Sequence, residues 1–353
     1  MRYKKKVLFI VNGFGLGNST RCHALIQNLQ NEYEGQFEIE IVASGNSYKY
    51  FEKNYPRLLK YKFNEVTYGK SQSGINFLSV MIAMPQNFIK FFKNSIQICF
   101  LFKKYNYDFV IIDSDYTALI WRIFYKLPIC AINNSLWIKL VSKKLFLNKN
   151  LYFHFFIEHL DFLFHKYIPT VTIYPSIALR NFYAIKKPFV FVQPLIRSDL
   201  QSEHVQESYT DILVLPSSSN IGLNLEIIKK LKNVSNCNFH IVGFSETNSD
   251  NLFFYEPQYN LTQLFSKCGI VISNAGWSTI CEIITYDKIG ILIPIESHSE
   301  QIANCLLVKD QSNIIISNSN DILNAINNAI SMKKIVGYQQ NIYPRASAIV
   351  QNL

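Results

Sequence analysis

Short apolar runs rich in β-branched residues recur along the whole chain, and the longer segments between them show helical spacing of apolar positions. Runs that are apolar on both faces and alternate with helices are typical of parallel strands covered by helices on both sides. We therefore predict an α/β protein built from doubly wound, Rossmann-like sheets. The predicted strands of the first half are Val7–Val11, Phe37–Ala43, Phe109–Asp113, Ile129–Asn133, Val171–Tyr174 and Phe189–Val192. Those of the second half are Ile212–Leu215, Phe239–Phe244, Ile270–Ser273, Ile291–Ile295 and Asn313–Ser317.

The alternation of strands and helices is interrupted near residues 193–208, where Gln193-Pro194 leads into a polar stretch. A chain of 353 residues is long enough for two α/β domains of roughly 150–200 residues each. We expect an N-terminal domain over residues 1–197, a C-terminal domain over 205–335, and a last helix over 338–353 as a candidate to pack back on the first domain. In such an architecture, ligands bind at the carboxyl ends of the strands.

Composition narrows the class of protein. Seven cysteines, odd in number and without a CxxC pair, argue against a disulfide framework and a metal cage, and favour a reducing compartment. No stretch of about 20 residues is both apolar and uncharged, so no transmembrane helix is predicted. The run Val7–Val11 is too short for a signal core. We expect a soluble cytoplasmic protein.

The net charge of +10 is unevenly placed. Residues 1–200 carry 26 Lys and Arg against 12 Asp and Glu, or +14, whereas residues 201–353 carry 9 against 13, or −4. Two segments of the basic half, 88–107 and 136–167, mix lysines with many aromatic residues. Such segments suit an anionic membrane surface, which would place the protein on the inner face of the plasma membrane. The alternative is core-packing helices with solvated lysines. No nucleic acid partner is expected.

The strongest chemical signal lies in the second half. The predicted strand ending at Ser273 runs into Gly276, where the missing Cβ lets a ligand approach the backbone. A helix opens directly afterwards, and its N-terminus is a ready site for a diphosphate, with Ser278 and Thr279 as further donors. Glu282 lies one turn down the same helix face and could accept bonds from both hydroxyls of a ribose.

This segment resembles the donor-binding module of GT-B glycosyltransferases, close to the peptidoglycan lipid-intermediate N-acetylglucosaminyltransferase and the plant galactolipid synthases. The module reads G-x-S/T-x-x-E, then an apolar strand ending in Pro, then H/D-x-E/Q-Q-x-x-N-A. Matching positions here are Gly276, Ser278, Thr279, Glu282, Pro294, His298, Glu300, Gln301 and Asn304. The resemblance implies a two-domain GT-B fold in which Gly276, Ser278 and Thr279 hold the diphosphate and Glu282 the ribose. It further implies that Glu300 and Gln301 bind the donor sugar.

The same resemblance bears on the reaction. Retaining GT-B enzymes commonly carry a Glu eight positions before the ribose-binding Glu, and Asn274 stands there in this chain. It therefore implies inverting transfer from a nucleotide-diphosphate sugar, most simply a UDP-sugar, to a hydroxyl of a lipid-linked or cell-surface glycan acceptor. No cofactor and no metal are expected.

A glycine-rich loop over residues 11–21 follows the first predicted strand and opens the first helix. It resembles the G-x-G-x-G-H-x-x-R loop that faces the donor in several GT-B families, which implies donor-side roles for Gly15, Gly17 and Asn18. Arg21 matches the pattern, but Asn18 replaces the histidine that is a candidate general base in some relatives. A dehydrogenase is disfavoured, because the second strand ends without the acidic ribose ligand. His23, one turn into the helix, is better explained as a structural residue.

Because an amide takes up no proton, another base is needed. Asp113 ends a predicted strand at the sheet edge, and Pro128 follows it at the spacing seen in related glycosyltransferases. It is our candidate base. The alternatives are that Asp113 or Asp115 caps the next helix, or that the pair binds a metal, which we discount since no other ligand cluster accompanies it.

Two other functions remain open. A nucleotide-sugar hydrolase or epimerase on the same scaffold would bind the donor similarly but use water or isomerise the sugar. A non-catalytic nucleotide-sugar-binding subunit would also explain Asn18 in place of histidine.

Overall fold

The computed structural model describes residues 3–13, 15–66, 77–117, 124–139, 141, 151–177, 188–197, 208–216, 223–256, 261–296, 298–332 and 343–353, with side chains from residue 81 onward in the helix that begins at 77. The chain divides into two compact units. The first contains Met1–Leu140, Tyr152–Leu195 and Asn341–Leu353; the second contains Val141–Leu151 and Ile196–Gln340. All seven cysteines lie in the described residues and remain thiols.

The first unit is a parallel sheet with helices between its strands. Its strands are β1 (Lys5–Val11), β2 (Phe37–Ser44), β3 (Leu59–Phe63), β4 (Phe109–Asp113), β5 (Ile129–Ile132), β6 (Val171–Pro175) and β7 (Phe189–Val192). Its helices are α1 (Gly17–Glu32), α2 (Gly45–Asn54), α3 (Phe77–Lys104) and α4 (Tyr152–Tyr167). Within the described residues the strand order is β3-β2-β1-β4-β5-β6-β7. The order reverses between β1 and β4, where doubly wound sheets bind ligands.

The second unit repeats this architecture. Its strands are β8 (Ser208–Leu215), β9 (Asn238–Val242), β10 (Leu252–Tyr255), β11 (Cys268–Ser273), β12 (Ile289–Leu292) and β13 (Ile314–Ile316). Its helices are α5 (Leu225–Lys230), α6 (Thr262–Lys267), α7 (Trp277–Thr285), α8 (Ser299–Val308) and α9 (Ile322–Ser331), with a 3₁₀ turn at Leu231–Asn233. Across the described part the order is β10-β9-β8-β11-β12-β13, so the reversal falls between β8 and β11.

The predicted α/β class and doubly wound sheets are confirmed. The central strands are fully apolar because helices cover both faces: Val7, Leu8, Phe9 and Ile10 of β1 are all 0% exposed. Two strands, β3 and β10, were not predicted, and the strand predicted at Ile291–Ile295 begins earlier, at Ile289.

A short C-terminal helix, α10 (Ala346–Gln351), belongs to the first unit. It packs near α1, where Ser347 donates its hydroxyl to Glu32 at 2.6 Å and Arg345 pairs with the same carboxylate. Lys5 of β1 donates to the carbonyl of Gln351 at 2.8 Å. The last helix was predicted over 338–353, and residues 338–342 of that range lie outside the described residues.

Among the described helices, none is both long and apolar enough to cross a bilayer.

Candidate active site

The loop between β11 and α7 lies at the strand reversal of the second unit. Ala275 has φ 57°, a left-handed conformation that is costly for a residue with a Cβ. Gly276 follows as the N-cap with φ −66° and ψ 135°. It is exposed, and a Cβ built on it would meet nothing within 4 Å. Neither backbone conformation nor packing within the chain requires glycine here, so the space above Gly276 is open to a ligand.

The N-terminus of α7 keeps its positive character. Gly276 has no side chain to cap it, and the first turn contains no acidic residue. The first intrahelical bond runs from Ile280 N–H to the Gly276 carbonyl at 3.0 Å. Ser278 and Thr279 are half-buried in this first turn, and Glu282 is half-buried one turn further on. An anion is favoured at such a helix end.

Two asparagine side chains hold this loop in place. Asn274 donates to the carbonyl of Ile293, just after β12, at 3.0 Å. Asn304 of α8 donates to the carbonyl of Ala275 at 3.0 Å and is 1% exposed. The strained turn at Ala275 is therefore fixed from both β12 and α8. Asn274 stands where retaining GT-B enzymes commonly carry a Glu, and in this chain its side chain makes a structural contact.

The start of α8 brings the remaining predicted donor residues to the same strand ends. Glu300 is half-buried, while Gln301 is 8% exposed and its Oε1 accepts the Ile295 N–H at 2.9 Å. The Gln301 amide oxygen is thus engaged with the backbone of Ile295. Desolvation lowers the pKa of His298, the N-cap of α8, to about 4. This imidazole is therefore neutral at physiological pH.

In the first unit, the glycine-rich loop packs directly on the end of β2. The Gly13 N–H donates to Ser44 Oγ at 2.9 Å, and a Cβ on Gly13 would lie 2.0 Å from the Ser44 carbonyl oxygen. Gly15 has φ 89°, a left-handed conformation that suits glycine. Gly17 begins α1. The loop therefore requires glycine at residue 13 for space and at residue 15 for conformation.

A buried ion pair joins this loop to the end of β4. Arg21 donates Nε to Asp113 Oδ2 at 2.6 Å and Nη2 to Oδ1 at 2.5 Å. The same Nη2 donates to Asn18 Oδ1 at 2.9 Å, and Asn18 Nδ2 donates to the Asn12 carbonyl at 3.2 Å. Asp113 is 0% exposed and Arg21 7%. Such a bidentate pair fixes both side chains rigidly.

This geometry bears on the predicted roles of both residues. Both oxygens of Asp113 face Arg21, and no part of its side chain reaches solvent, which disfavours the base that we predicted there. The Asn18 amide is oriented by Arg21 on one side and the backbone on the other.

The side chains near this pair have contacts of their own. Asp115 accepts the Thr117 N–H at 2.9 Å, and residues 118–123, where the capped helix was expected, lie outside the described residues. Within the described residues, no group of three or more His, Cys, Asp or Glu side chains could hold a metal ion. His23 is 7% exposed and its Nδ1 lies 2.6 Å from the Tyr50 hydroxyl, which explains it as a structural residue.

Comparison with known proteins identifies the family of this chain. The profile described as glycosyl transferase family 1 matches residues 5–330, which includes both sheets. The chain belongs to this glycosyltransferase family. No curated protein sequence matches it significantly.

Solved glycosyltransferase structures share its GT-B fold. MurG of Acinetobacter baumannii is 15% identical with a TM-score of 0.53, covering 99% of this chain and 98% of that one. Arabidopsis thaliana UGT89C1, complexed with UDP-L-rhamnose, is 13% identical with a TM-score of 0.61, covering 92% and 90%. A UDP-glucosyltransferase from Polygonum tinctorium capable of glucosylating indoxyl is 11% identical with a TM-score of 0.65, covering 95% and 91%. The predicted GT-B fold is confirmed.

Sequence reasoning missed part of this glycosyltransferase's first-unit site. Asn12 donates to the Ser114 carbonyl at 2.9 Å and accepts from the Ser47 hydroxyl at 2.7 Å, so it joins the ends of β1, β4 and α2. A polar residue directly after a buried strand was the available signal. The Arg21–Asp113 pair was also missed, and its only signal was two opposite charges close to predicted central strands.

Proposed function

We propose that this glycosyltransferase moves a sugar from a UDP-sugar to a hydroxyl of a lipid-linked or cell-surface glycan acceptor, with inversion at the anomeric carbon and without a metal. The observation that carries the donor part is the uncapped N-terminus of α7 below the open space at Gly276. UDP as the nucleotide is supported by the UDP-sugar bound to the Arabidopsis thaliana structure of the same fold.

In this proposal the diphosphate lies at the N-terminus of α7, where Ser278 and Thr279 add hydroxyl donors. Glu282 accepts the ribose hydroxyls, while Glu300 and the NH2 group of Gln301 bind the sugar. Negative charge grows on the diphosphate as the bond to the sugar breaks, and a preorganised helix end stabilises that charge without a metal ion. Gly15, Gly17 and Asn18 of the glycine-rich loop remain proposed donor-binding residues.

Glu282→Ala should weaken UDP binding without unfolding the protein. Loss of a charged hydrogen-bond acceptor costs about 1.5–3 kcal/mol, or roughly 10- to 150-fold in Kd. Isothermal titration calorimetry with UDP measures the change, and thermal melting checks the fold. Glu246→Ala is the matched control, because Glu246 is an exposed carboxylate of the same unit. A folded Glu282→Ala protein with wild-type affinity for UDP would remove Glu282 from the ribose site.

We further propose that the first unit docks on an anionic membrane, on the inner face of the plasma membrane, where a lipid-linked acceptor would be found. Helix α3 carries a row of solvent-exposed apolar side chains, here called the α3 apolar stripe: Ile82 (72% exposed), Ile89 (56%), Phe92 (47%), Ile96 (52%) and Phe100 (68%). The opposite face of α3 packs in the core, where Ile98 and Leu101 are buried. Core packing therefore does not explain the apolar residues of the stripe. Large exposed apolar rows of this kind mark interaction surfaces.

Charge and a second helix support the same surface. Lys93, Lys103 and Lys104 are exposed on α3. On α4, Phe156 and Leu160 are 58% and 51% exposed, one turn apart. Apolar rows flanked by lysines suit the headgroup region of an anionic bilayer, to which each lysine contributes about 1 kcal/mol. Residues 142–150 of the second predicted membrane segment lie outside the described residues.

Docking should depend on both the lipid charge and the salt concentration. In co-sedimentation, vesicles of phosphatidylcholine and phosphatidylglycerol should retain the protein at 0.1 M salt, and 1 M salt should release most of it, because the Debye length falls from about 10 Å to about 3 Å. Charge reversal to Glu at Lys93, Lys103 and Lys104 should weaken binding at least 10-fold. The same change at Lys229, Lys230 and Lys232 of the second unit is the control. Equal, negligible binding to neutral and anionic vesicles would contradict the membrane proposal and leave the donor assignment intact.

A further inference from the structure

Inverting transfer requires a base for the acceptor hydroxyl, and neither Asn18 of the glycine-rich loop nor Asp113 at the end of β4 suits this role. Asn18 carries an amide, and Asp113 is fully buried with both oxygens against Arg21. Another carboxylate stands near the same edge of the first sheet, on α4. It is Asp161.

Hydrogen bonds tie Asp161 to the carboxyl ends of two neighbouring strands. Tyr116, three residues after β4, donates its hydroxyl to Oδ1 at 2.5 Å. Asn133, the residue after β5, donates its NH2 group to Oδ2 at 3.1 Å. Since β4 also ends in Asp113 and pairs with β5, Asp161 lies beside the strand reversal where doubly wound sheets bind ligands.

The carboxylate of Asp161 is more exposed to solvent than that of Asp113. The Asp161 side chain is 13% exposed and Tyr116, which bonds it, is 36% exposed. Among the described residues, Oδ2 accepts only the Asn133 bond, so one of its two lone pairs remains for an incoming proton.

The surroundings keep Asp161 ionised. Burial alone would raise its pKa, but His165, whose Nδ1 lies 3.2 Å from Oδ1, and the hydrogen bonds from Tyr116 and Asn133 outweigh burial and lower the pKa. The carboxylate is therefore available as a proton acceptor at neutral pH.

Three buried polar atoms close to this cluster in sequence have no hydrogen-bond partner among the described residues. Ser135 Oγ and Trp137 Nε1, on the segment after Asn133, are buried and form no hydrogen bond with any described residue, and the same holds for Nε2 of His165. Buried polar groups are nearly always satisfied in folded proteins. These three groups therefore keep unused hydrogen-bonding capacity among the described residues.

We propose that Asp161 is the catalytic base, with Tyr116 and Asn133 as the residues that position it; this inference rests on the proposed function. In the reaction, the acceptor O–H bond breaks and its proton passes to Asp161 Oδ2. The oxygen forms the new bond to the anomeric carbon, and the bond from that carbon to the diphosphate breaks with its electron pair on the leaving UDP.

The test uses two nucleophiles that differ in their need for a base. Purified protein is incubated with UDP-glucose or UDP-N-acetylglucosamine, without a sugar acceptor, in the presence or absence of sodium azide, and UDP release is measured. Water must lose a proton to attack, whereas azide is already an anion. Asp161→Asn should therefore reduce water-dependent UDP release by at least 100-fold, and keep azide-dependent release and the Kd for UDP within about 3-fold of wild type. Glu158→Gln, the same change one turn earlier on α4, is the control and should alter neither rate.

Three outcomes would contradict the proposal, and they differ in what they overturn. Water-dependent release that survives in Asp161→Asn would overturn the assignment of the base alone. Loss of both the azide and the water reaction would show that Asp161 supports the fold rather than the proton transfer, which also overturns it. A wild-type protein that binds no UDP, or releases it to neither nucleophile, would overturn the proposed function and the base together.

Discussion

Arg21→Met should lower the free energy of unfolding by about 3–5 kcal/mol, the usual cost of removing one partner from a buried ion pair. Asp113 would then remain at 0% exposure without the guanidinium that contacts both of its oxygens. Methionine keeps much of the apolar volume of the arginine stem, so the effect reports the charge more than a cavity. Urea denaturation followed by circular dichroism measures the change.

Two further variants separate this effect from a general loss of charge. Arg345→Met removes an arginine that is 61% exposed in its pair with Glu32, and should cost less than about 1 kcal/mol. Arg21→Met combined with Asp113→Leu should recover much of the lost stability, because an apolar pair no longer leaves a buried charge unpaired. If Arg21→Met alone is as stable as wild type, then the pair of Arg21 and Asp113 contributes nothing to the stability of the first unit.

Gly13→Ala should destabilise the first unit by about 1–3 kcal/mol, the typical cost of overpacking, and should do so through backbone displacement. Its Cβ would lie 2.0 Å from the Ser44 carbonyl oxygen and 2.7 Å from Gly45 Cα, so no rotamer change can relieve the contact. The loop would move away from β2 and lose the bond from the Gly13 N–H to Ser44 Oγ. Thermal melting, together with hydrogen exchange of the Gly13 amide, measures both consequences.

Gly35→Ala provides the comparison. Gly35 has φ 73°, but a Cβ there would meet nothing within 4 Å. This substitution therefore adds conformational strain of roughly 1 kcal/mol without a steric clash. Equal effects at both positions would mean that the loop around Gly13 accommodates a methyl group and that close packing on β2 is not what requires glycine.

The central strands of both sheets could be predicted from the sequence because they are buried on both faces, and such strands read as unbroken apolar runs. Strands β3 and β10 could not, because few of their residues are buried. β3 has the sequence LKYKF, and its three middle residues are exposed, so nothing marks it as part of a core. β10 is four residues long, with three of them only half-buried. Its position follows from pairing with β9, which no local pattern reveals.

The candidate site was predictable in its second unit and less so in its first. Gly276 and Glu282 fall on one strand–turn–helix, so their relation depends only on local spacing. Tyr116 and Asn133, which donate hydrogen bonds to Asp161, lie 45 and 28 positions from it in sequence. Only the strand order of the folded sheet brings the three residues together. Asp113 was recognised as a strand-end carboxylate, but sequence alone did not show that Arg21 covers it.

The bracing of the Ala275 turn has a thermodynamic consequence for donor binding. Asn304 belongs to α8, the helix that also carries Glu300 and Gln301, and its bond to the Ala275 carbonyl joins the proposed sugar-binding helix to the proposed diphosphate loop. The conformational entropy of this turn is thus lost during folding, before any donor arrives. A preorganised loop needs little reorganisation when negative charge shifts onto the diphosphate during the reaction. If the proposed donor site is correct, the affinity for the donor reflects the contacts themselves, and the sugar and the diphosphate meet one rigid template in the second unit.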